Sequence, residues 1–331
     1  MTGRERGDDL AALDDQGDLD ALTRQVDALC ERRAWADLAR LRDLCRAALA
    51  RGRQLWPVAS HVEYRLALEA PGPWAGPVLV PGAGHFAPGP LSEVAAAAHA
   101  WAELAPHAPP GPVAALAAHE RVVRGEDLTG DERAGDDGLD LPWRLEAWEP
   151  AYPVATYRAE GGDFPAPPAP TLPAPEEAEP GETVDDPEAC RALLDLAAAW
   201  VTESNGRAAA VAVTGDASAA VAALGPRHVR RAEVTGADAL ALMAWAGASG
   251  GAHGRRRGMA PGRFAAWWAV VSLAGRLDDW PLPPDEVGAA LTRLRWYRWD
   301  AGEPETGWVL RLAVEDVERG RAWAVAATDA D

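Results

Sequence analysis

Apolar residues return at steps of three and four from Asp18 to about Gly125, a spacing typical of amphipathic helices. Asp18 is a candidate N-cap for the first helix, whose apolar positions are Leu19, Leu22, Val26 and Leu29. The same spacing predicts four more helices, over residues 38–52, 58–69, 91–104 and 113–123. Short connections between helices favour an all-α bundle for this part of the chain.

A helix with clear start signals opens the C-terminal part, because Asp186 can cap it and Pro187 suits its first position. We expect it to run to about Thr202. A near-repeat follows in residues 208–217 and 228–239. Each copy has the pattern of a strand, a Thr-Gly turn, an aspartate that can cap a helix, and an alanine-rich helix. Two βα units are therefore predicted, with at least one small pair of parallel strands.

The remaining pattern predicts two helices and then three strands of alternating polarity. The helices are expected over residues 262–275 and 284–294, and the strands over residues 295–299, 308–314 and 322–327. In the middle strand Arg311 faces away from its apolar neighbours, as in a half-buried antiparallel strand. The fold class is therefore α+β with a mixed sheet. An N-terminal all-α helical bundle is followed by a C-terminal α/β domain, in which the two βα units precede a three-stranded antiparallel meander.

Composition divides the chain into four segments. Residues 1–130 are predicted to form an acidic all-α domain, and residues 131–163 an extended aromatic segment, since its prolines argue against helix. Residues 164–186 are rich in proline, alanine and glutamate and have almost nothing to bury, which predicts a semi-rigid linker. Residues 187–331 form the C-terminal α/β domain.

The charged residues exclude several classes of function. All 32 basic residues are arginine, as expected of a protein from a high-GC genome. Without lysine the chain lacks the side-chain amine that is used in Schiff-base catalysis, in pyridoxal phosphate attachment, in a Walker A motif and in a protein kinase, so these four chemistries are not expected. The net charge is −19: residues 1–189 hold 16 Arg against 34 Asp and Glu (−18), and residues 190–331 hold 16 against 17 (−1). General nucleic-acid binding is therefore not expected.

The ends and the hydropathy of the chain bear on its location. The N-terminus is polar and acidic and lacks the apolar core of a signal peptide. No apolar run approaches the roughly 20 residues that a membrane span needs. A cytoplasmic protein without membrane contact is therefore expected.

Neither cysteine nor histidine spacing predicts a metal site. The three cysteines lack the spacing of a disulfide framework or a zinc site and are predicted to be buried apolar residues: Cys30, Cys45 and Cys190. A second possible ligand set would need one unbroken helix through His99, Glu103 and His107. Pro106 should end that helix first. No metal and no cofactor are predicted.

Two glycine motifs match enzyme signatures only in their letters. The GASGG at 247–251 fits the nucleophile elbow of α/β-hydrolases, with Ser249 as the nucleophile. The elbow follows a strand, whereas residues 238–246 have a helical pattern, and no histidine beyond His253 follows the serine. The VLVPGAGHFA at 78–87 fits a dinucleotide fingerprint, but helical patterns surround it. An irregular loop between helices is predicted there instead.

The tryptophans allow two interpretations. The chain has 15 of them, and they could form a stacking platform for bases or sugars or could pack in the core. Their positions fit the inward faces of the predicted elements, as for Trp267, Trp296, Trp299, Trp308 and Trp323. Core packing is therefore the prediction.

The Gly/Arg-rich stretch 249–263 is the best candidate site. Its glycines allow close backbone approach, and its arginines offer bidentate donors just before a helix N-terminus, which are the ingredients of an anion or phosphate site. The predicted anion-binding residues are Arg255, Arg256, Arg257, Arg263, Gly254 and Gly258. The alternative interpretation is that these arginines pair with the acidic N-terminal region and dock the two domains.

Four stretches of the C-terminal half have distinctive sequences. They are SGGAHGRRRG from Ser249, RFAAWW from Arg263, LRWYRWD from Leu294 and GWVLRLAVED from Gly307. Together they resemble a family of uncharacterised proteins from high-GC bacteria. The resemblance covers about residues 190–331, with weaker similarity in the N-terminal helices. It implies no activity, and no catalytic residue is carried over from it.

Two kinds of function remain open. The favoured one is a non-enzymatic interaction or ligand-binding protein, in which the N-terminal helices dock another protein and the C-terminal domain is the specific binder. The alternative is an enzyme that acts on a phosphorylated or nucleotide-like small molecule. In that case the arginines of the stretch 249–263 would clamp the anion, and His253 would be the candidate general acid or base.

Overall fold

The chain divides into two compact units. The computed structural model describes residues 19–48, 51–135, 139–303 and 306–330. The first unit takes the described residues of Met1–Val122, Gly130–Gly138 and Ala155–Asp163, and the second takes those of Val123–Thr129, Leu139–Val154 and Phe164–Asp331.

Helices make up most of the first unit. They are α1 (Leu19–Glu31), α2 (Trp35–Ala48), α3 (Trp56–Glu69), α4 (Gly72–Ala75), α5 (Leu91–Ala98), α6 (Trp101–Leu104) and α7 (Pro112–Val123). The apolar stripe of α1 is buried at Leu22, Val26 and Leu29, as its spacing predicts. The predicted N-cap of this helix, Asp18, lies outside the described residues.

The prediction of a single helix over residues 91–104 is wrong, because the structure has two helices there, α5 and α6. His99 interrupts it with an extended backbone, at φ −127° and ψ 146°. At this corner Nδ1 of His99 lies 3.2 Å from the carboxylate of Glu103, which also accepts a hydrogen bond from the amide of Gly72 at 2.9 Å. The apolar spacing continues through the break, so spacing alone could not show it.

A small hairpin completes the first unit, with strands β1 (Thr156–Arg158) and β2 (Gly161–Asp163). Tyr157 donates a hydrogen bond to the fully buried carboxylate of Glu93 at 2.6 Å. The hydroxyl of Tyr64 donates to the backbone carbonyl of Gly161 at 3.1 Å. Polar contacts therefore fix the hairpin on the helices of this unit.

The second unit holds a six-stranded sheet with helices. Its strands are β3 (Glu176–Glu177), β4 (Arg207–Thr214), β5 (His228–Val234), β6 (Arg295–Asp300), β7 (Trp308–Asp316) and β8 (Arg321–Asp329). Its helices are α8 (Pro187–Asp195), α9 (Ala198–Thr202), α10 (Ala217–Ala223), α11 (Gly236–Ala248), α12 (Met259–Leu273) and α13 (Pro284–Arg293). These elements confirm the α+β class.

The order of the strands corrects the expected parallel pair. Each of β4 and β5 is followed by a helix, as the near-repeat predicts, but the order is β3-β5-β6-β7-β8-β4 and every neighbouring pair is antiparallel. The last three strands of the chain lie between β4 and β5. They therefore prevent the two from pairing with each other, and the sheet is antiparallel rather than mixed.

Both faces of the sheet are covered. One face packs Trp296, Leu310 and Trp323 into a large core with residues of α8, α11 and α12. The other face packs Tyr297 and Ala313 against α10. The strand β7 is consequently buried on both sides, and Arg311, expected to be exposed, is only 7% exposed and lies 5.6 Å from the ring of Trp299.

Residues 164–186, predicted to be a linker, contribute to this unit. Glu176 and Glu177 pair with the first residues of β5. Further along, the amide of Val184 donates to the carbonyl of Ala212 at 2.9 Å.

Among the described residues, no helix combines the length and the apolar character that crossing a bilayer requires.

Candidate functional site

The arginine loop, residues 249–258, joins α11 to α12. It starts at Ser249, the C-cap of α11, and ends at Gly258, whose φ of 101° suits glycine alone. The helix α12 begins at Met259, earlier than predicted. Pro261 falls in its first turn, where the missing amide proton removes no intrahelical bond. Arg263, predicted to be the second residue of this helix, is therefore its fifth.

Ser249 is part of the core. Only 2% of it is exposed, and its hydroxyl accepts a hydrogen bond from the indole of Trp200 at 2.6 Å. It follows a helix rather than a strand. These surroundings do not resemble a nucleophile elbow, as the sequence indicates.

Backbone hydrogen bonds fix the arginine loop on its own unit. The amide of Ala252 donates to the carboxylate of Asp329 at 2.6 Å, and that of His253 to the hydroxyl of Ser204 at 3.1 Å. The amide of Arg255 donates to Glu203 at 3.1 Å. Those of Arg257 and Gly258 donate to the carbonyl of Ala248, at 2.8 and 3.3 Å. These amides are committed to the protein itself, so they do not form a phosphate cradle.

The glycines of the arginine loop serve its own packing. A Cβ on Gly254 would lie 2.3 Å from the carbonyl oxygen of Gly250, and one on Gly250 would lie 2.1 Å from that of Gly254. Two glycines are therefore needed where the loop passes close to itself. The predicted role of Gly254 and Gly258, close approach to a ligand, stays a prediction.

The arginine side chains of the loop, unlike its hydrogen-bonded backbone amides, are exposed or half-buried. Arg255 and Arg257 are exposed, and Arg256 is half-buried above the ring of Phe164, 4.7 Å from its centroid. Arg257 lies 3.6 Å from the carboxylate of Glu203. The side chain of His253 is exposed. Two of the four predicted arginines, Arg255 and Arg257, are thus exposed on this loop, as is His253.

The fourth arginine, Arg263, has a separate and buried environment. Its side chain is fully buried and contacts the carboxylate of Glu149 through two hydrogen bonds, of 2.8 and 2.7 Å. It also donates to the backbone carbonyls of Pro142 and Arg144, at 3.0 and 2.9 Å. Glu149 further accepts from Tyr152 at 2.6 Å. Arg263 therefore holds residues 139–154 on the second unit.

Burial and the neighbouring Arg263 shift the pKa of Glu149 in opposite directions. Burial acts to raise the pKa of Glu149, but the hydrogen bonds and charge of Arg263 outweigh burial and hold that pKa below its usual value. Burial raises the pKa of Tyr152 well above its usual value, and the charge of Glu149 adds to this. The carboxylate is therefore ionised and the phenol neutral, a structural ion pair with no proton to exchange near neutral pH.

The anchoring residues of the arginine loop, Glu203, Ser204 and Asp329, were missed by sequence reasoning. They lie far from the loop in sequence, and none belongs to a motif. Phe164 likewise has no signal that pairs it with Arg256. Only the fold brings these residues to the loop.

The glycine motif at residues 78–87 is held in place by hydrogen bonds to side chains of α3. The amide of Gly84, in the glycine motif at 78–87, donates to the carboxylate of Glu63 at 2.7 Å, and that of Phe86 donates to Ser60 at 2.7 Å. This motif forms turns between helices, as predicted. Within the described ranges, no group of three or more His, Cys, Asp or Glu residues is arranged to hold a metal ion.

The cysteines are free thiols. Cys30 and Cys45 are buried, and Cys190 is half-buried. Burial raises the pKa of Cys30 to about 11 and also raises that of Cys190. A raised pKa leaves little thiolate at neutral pH and so lowers the nucleophilicity of both thiols.

Comparison with known proteins adds the family. The model of a family of unknown function matches residues 20–331, which includes the arginine loop and both units. The chain belongs to DUF6183. The resemblance seen in the C-terminal half is thereby confirmed for a family without an assigned activity. No curated protein and no solved structure matches the chain.

Proposed function

We propose that this member of DUF6183 is a non-enzymatic interaction protein, whose second unit binds an acidic surface of a partner protein through the arginine loop. One observation carries the proposal. The backbone of the loop is fixed by hydrogen bonds to Glu203, Ser204 and Asp329, while the guanidinium groups of Arg255 and Arg257 are exposed. A fixed backbone lowers the conformational entropy lost on binding.

The position of these arginines in the fold supports a binding role. They immediately precede the N-terminus of α12, where the helix dipole disfavours positive charge. The carboxylate of Glu203, 3.6 Å from Arg257, offsets part of this charge. An approaching carboxylate surface would relieve the unfavourable placement further, and arginine is well suited to bidentate contact with carboxylates.

The first unit would supply a second docking surface in this proposal. Phe86 is 60% exposed on a loop that Ser60 and Glu63 hold in place. An aromatic side chain on a fixed loop is a common anchor at protein interfaces.

A cytoplasmic location belongs to the same proposal, since a reduced compartment suits the free thiols.

The alternative, an enzyme acting on a phosphorylated small molecule, would use the same loop. Two observations favour the interaction role instead. Six backbone amides of the loop already have protein acceptors, and Arg263 is buried with Glu149. These amides and Arg263 would therefore not be available to a phosphate without loss of their present hydrogen bonds.

Binding of a defined acidic probe tests the proposal. Fluorescein-labelled octaglutamate is titrated with the full chain, and anisotropy is followed at low and at physiological salt. We expect saturable binding that weakens with salt, and a loss of about tenfold or more in affinity for Arg255→Gln with Arg257→Gln.

The matched control is Arg191→Gln with Arg295→Gln, which removes the same charge from exposed arginines elsewhere on the unit. An equal loss in this control would mean that net charge alone drives binding, and the proposal would be wrong. Loop-dependent turnover of a phosphate ester by the purified chain would favour the enzyme instead.

A further inference from the structure

A cleft of about 330 Å³ lies at the C-terminal end of α12, in the second unit. Three arginines line it: Arg276, Arg293 and Arg319. Its apolar wall includes Leu282, Ala289 and Ala290. This volume is at the lower end of the roughly 300–1,000 Å³ that small-molecule sites occupy.

A buried carboxylate orients two of these arginines. The side chain of Asp316 is 1% exposed and lies 3.2 Å from Nη1 of Arg293 and 3.6 Å from Nε of Arg319. Arg319 is fixed further by donating to the carbonyl of Ala274 at 2.8 Å. One buried negative charge is thus shared by two guanidinium groups, with the exposed Glu318 3.6 Å from Arg293 at the rim. The two arginines are held in place before any ligand arrives.

The third arginine already binds a carboxylate of the cleft. Arg276 donates to Glu286, which also lines the cleft, at 3.2 Å. Both side chains are about half exposed. Glu286 thus occupies a place where an anion can accept from Arg276. A ligand anion would take over this contact from Glu286.

We propose that this cleft binds a small organic phosphate, a phosphomonoester with a short apolar group. The guanidinium groups match the oxygens of a phosphate dianion, and the wall of Leu282, Ala289 and Ala290 suits the apolar group. The site is separate from the arginine loop, because the 15 residues of α12 put its two ends about 22 Å apart. It would give the protein a small-molecule ligand in addition to the proposed protein partner.

Calorimetry with phenyl phosphate as the probe tests this site, with inorganic phosphate and phenol as comparison ligands. Arg276→Gln should weaken phenyl phosphate binding about tenfold, as expected for a lost charge-assisted hydrogen bond. Glu286→Gln removes the competing carboxylate and should tighten binding severalfold. Both variants should fold, because the ion pairs of Arg276 with Asp279 and Glu286 lie at the surface.

Two variants serve as controls. Arg295→Gln is matched to Arg276→Gln, because Arg295 is similarly exposed and pairs with the exposed Glu233; its binding should equal that of the wild type. Arg255→Gln with Arg257→Gln should also bind normally, which separates this site from the arginine loop.

Several outcomes would overturn the proposal. Absence of saturable phenyl phosphate binding, or equal affinity in Arg276→Gln, Glu286→Gln and the wild type, would do so. An equal loss in Arg295→Gln would show a charge effect without a site. Inorganic phosphate binding as tightly as phenyl phosphate would contradict the proposed contact with an apolar group. Phenol binding as tightly would contradict the proposed contact with a phosphate.

Discussion

The two ends of α12 carry arginines in opposite electrostatic settings. At the C-terminal end Arg319 donates to the carbonyl of Ala274, where the helix dipole favours positive charge. At the N-terminal end Arg255 and Arg257 are exposed where the dipole disfavours them. The helix dipole and the carbonyl of Ala274 therefore stabilise Arg319 at the first end, in addition to the ligand role proposed for it, whereas the dipole gives Arg255 and Arg257 at the second end no such stabilisation. Position in the fold, rather than arginine content, therefore determines whether an arginine stabilises the end of its helix.

Arg263 gives the comparison its third member. It lies in α12 close to the N-terminal end, yet it is fully buried and compensated by Glu149. Charge near the helix N-terminus is thus neutralised inside the fold at one residue and left at the surface at others. Three predictions, from the largest expected effect to the smallest, sharpen this contrast.

Glu149→Gln should lower the free energy of unfolding by about 3–5 kcal/mol, because it leaves the charge of Arg263 buried without compensation. Urea denaturation followed by tryptophan fluorescence measures this loss. Arg191→Gln, at a surface ion pair, should change stability by no more than about 0.5 kcal/mol. A loss below about 1 kcal/mol for Glu149→Gln would contradict the structural role of the buried pair.

The same pair should respond to acid. The folded-state pKa of Glu149 is lowered, so its contribution is fully present above the unfolded-state pKa of about 4.3 and is lost as the pH falls through the folded-state pKa. The stability difference between wild type and Glu149→Gln should therefore shrink as the pH is lowered below about 4.3. A difference that stays constant over that range would mean that Glu149 is not the titrating group.

The smallest effect separates the two ends directly. Arg319→Gln should cost about 1–2 kcal/mol, because Asp316 loses one of its two nearby guanidinium groups and the carbonyl of Ala274 loses a donor. Arg255→Gln with Arg257→Gln should leave stability within about 0.5 kcal/mol of the wild type. Thermal or urea denaturation of the two variants in parallel provides the comparison. Equal losses would assign the loop arginines to stability.

Much of the local structure could be predicted because its causes are local. Asp186 caps α8 with Pro187 at the first position, as expected. In the second copy of the near-repeat the predicted helix is present but starts earlier than expected, because Thr235 rather than Asp238 is the cap and Asp238 completes a capping box with it. These signals depend on residues three or four positions apart.

The contacts that define the candidate sites could not be predicted, because they join distant parts of the chain. Glu149 and Arg263 are 114 positions apart, and Ala252 and Asp329 are 77 apart. The strand order was missed for a similar reason: β4 pairs with β8, and nothing in either strand states that choice. Hydrophobic periodicity reports which face of an element is buried and not which partner buries it.

The course of the chain between the two units has a consequence for inheritance. The chain enters the second unit at Val123, returns to the first at Gly130, crosses again at Leu139 and Ala155, and re-enters at Phe164. A gene fragment for residues 187–331 would encode Arg263 without its carboxylate, Glu149. Because the second unit is built from three stretches of the chain, a recombination event would have to carry residues 123–331 together to transfer it whole.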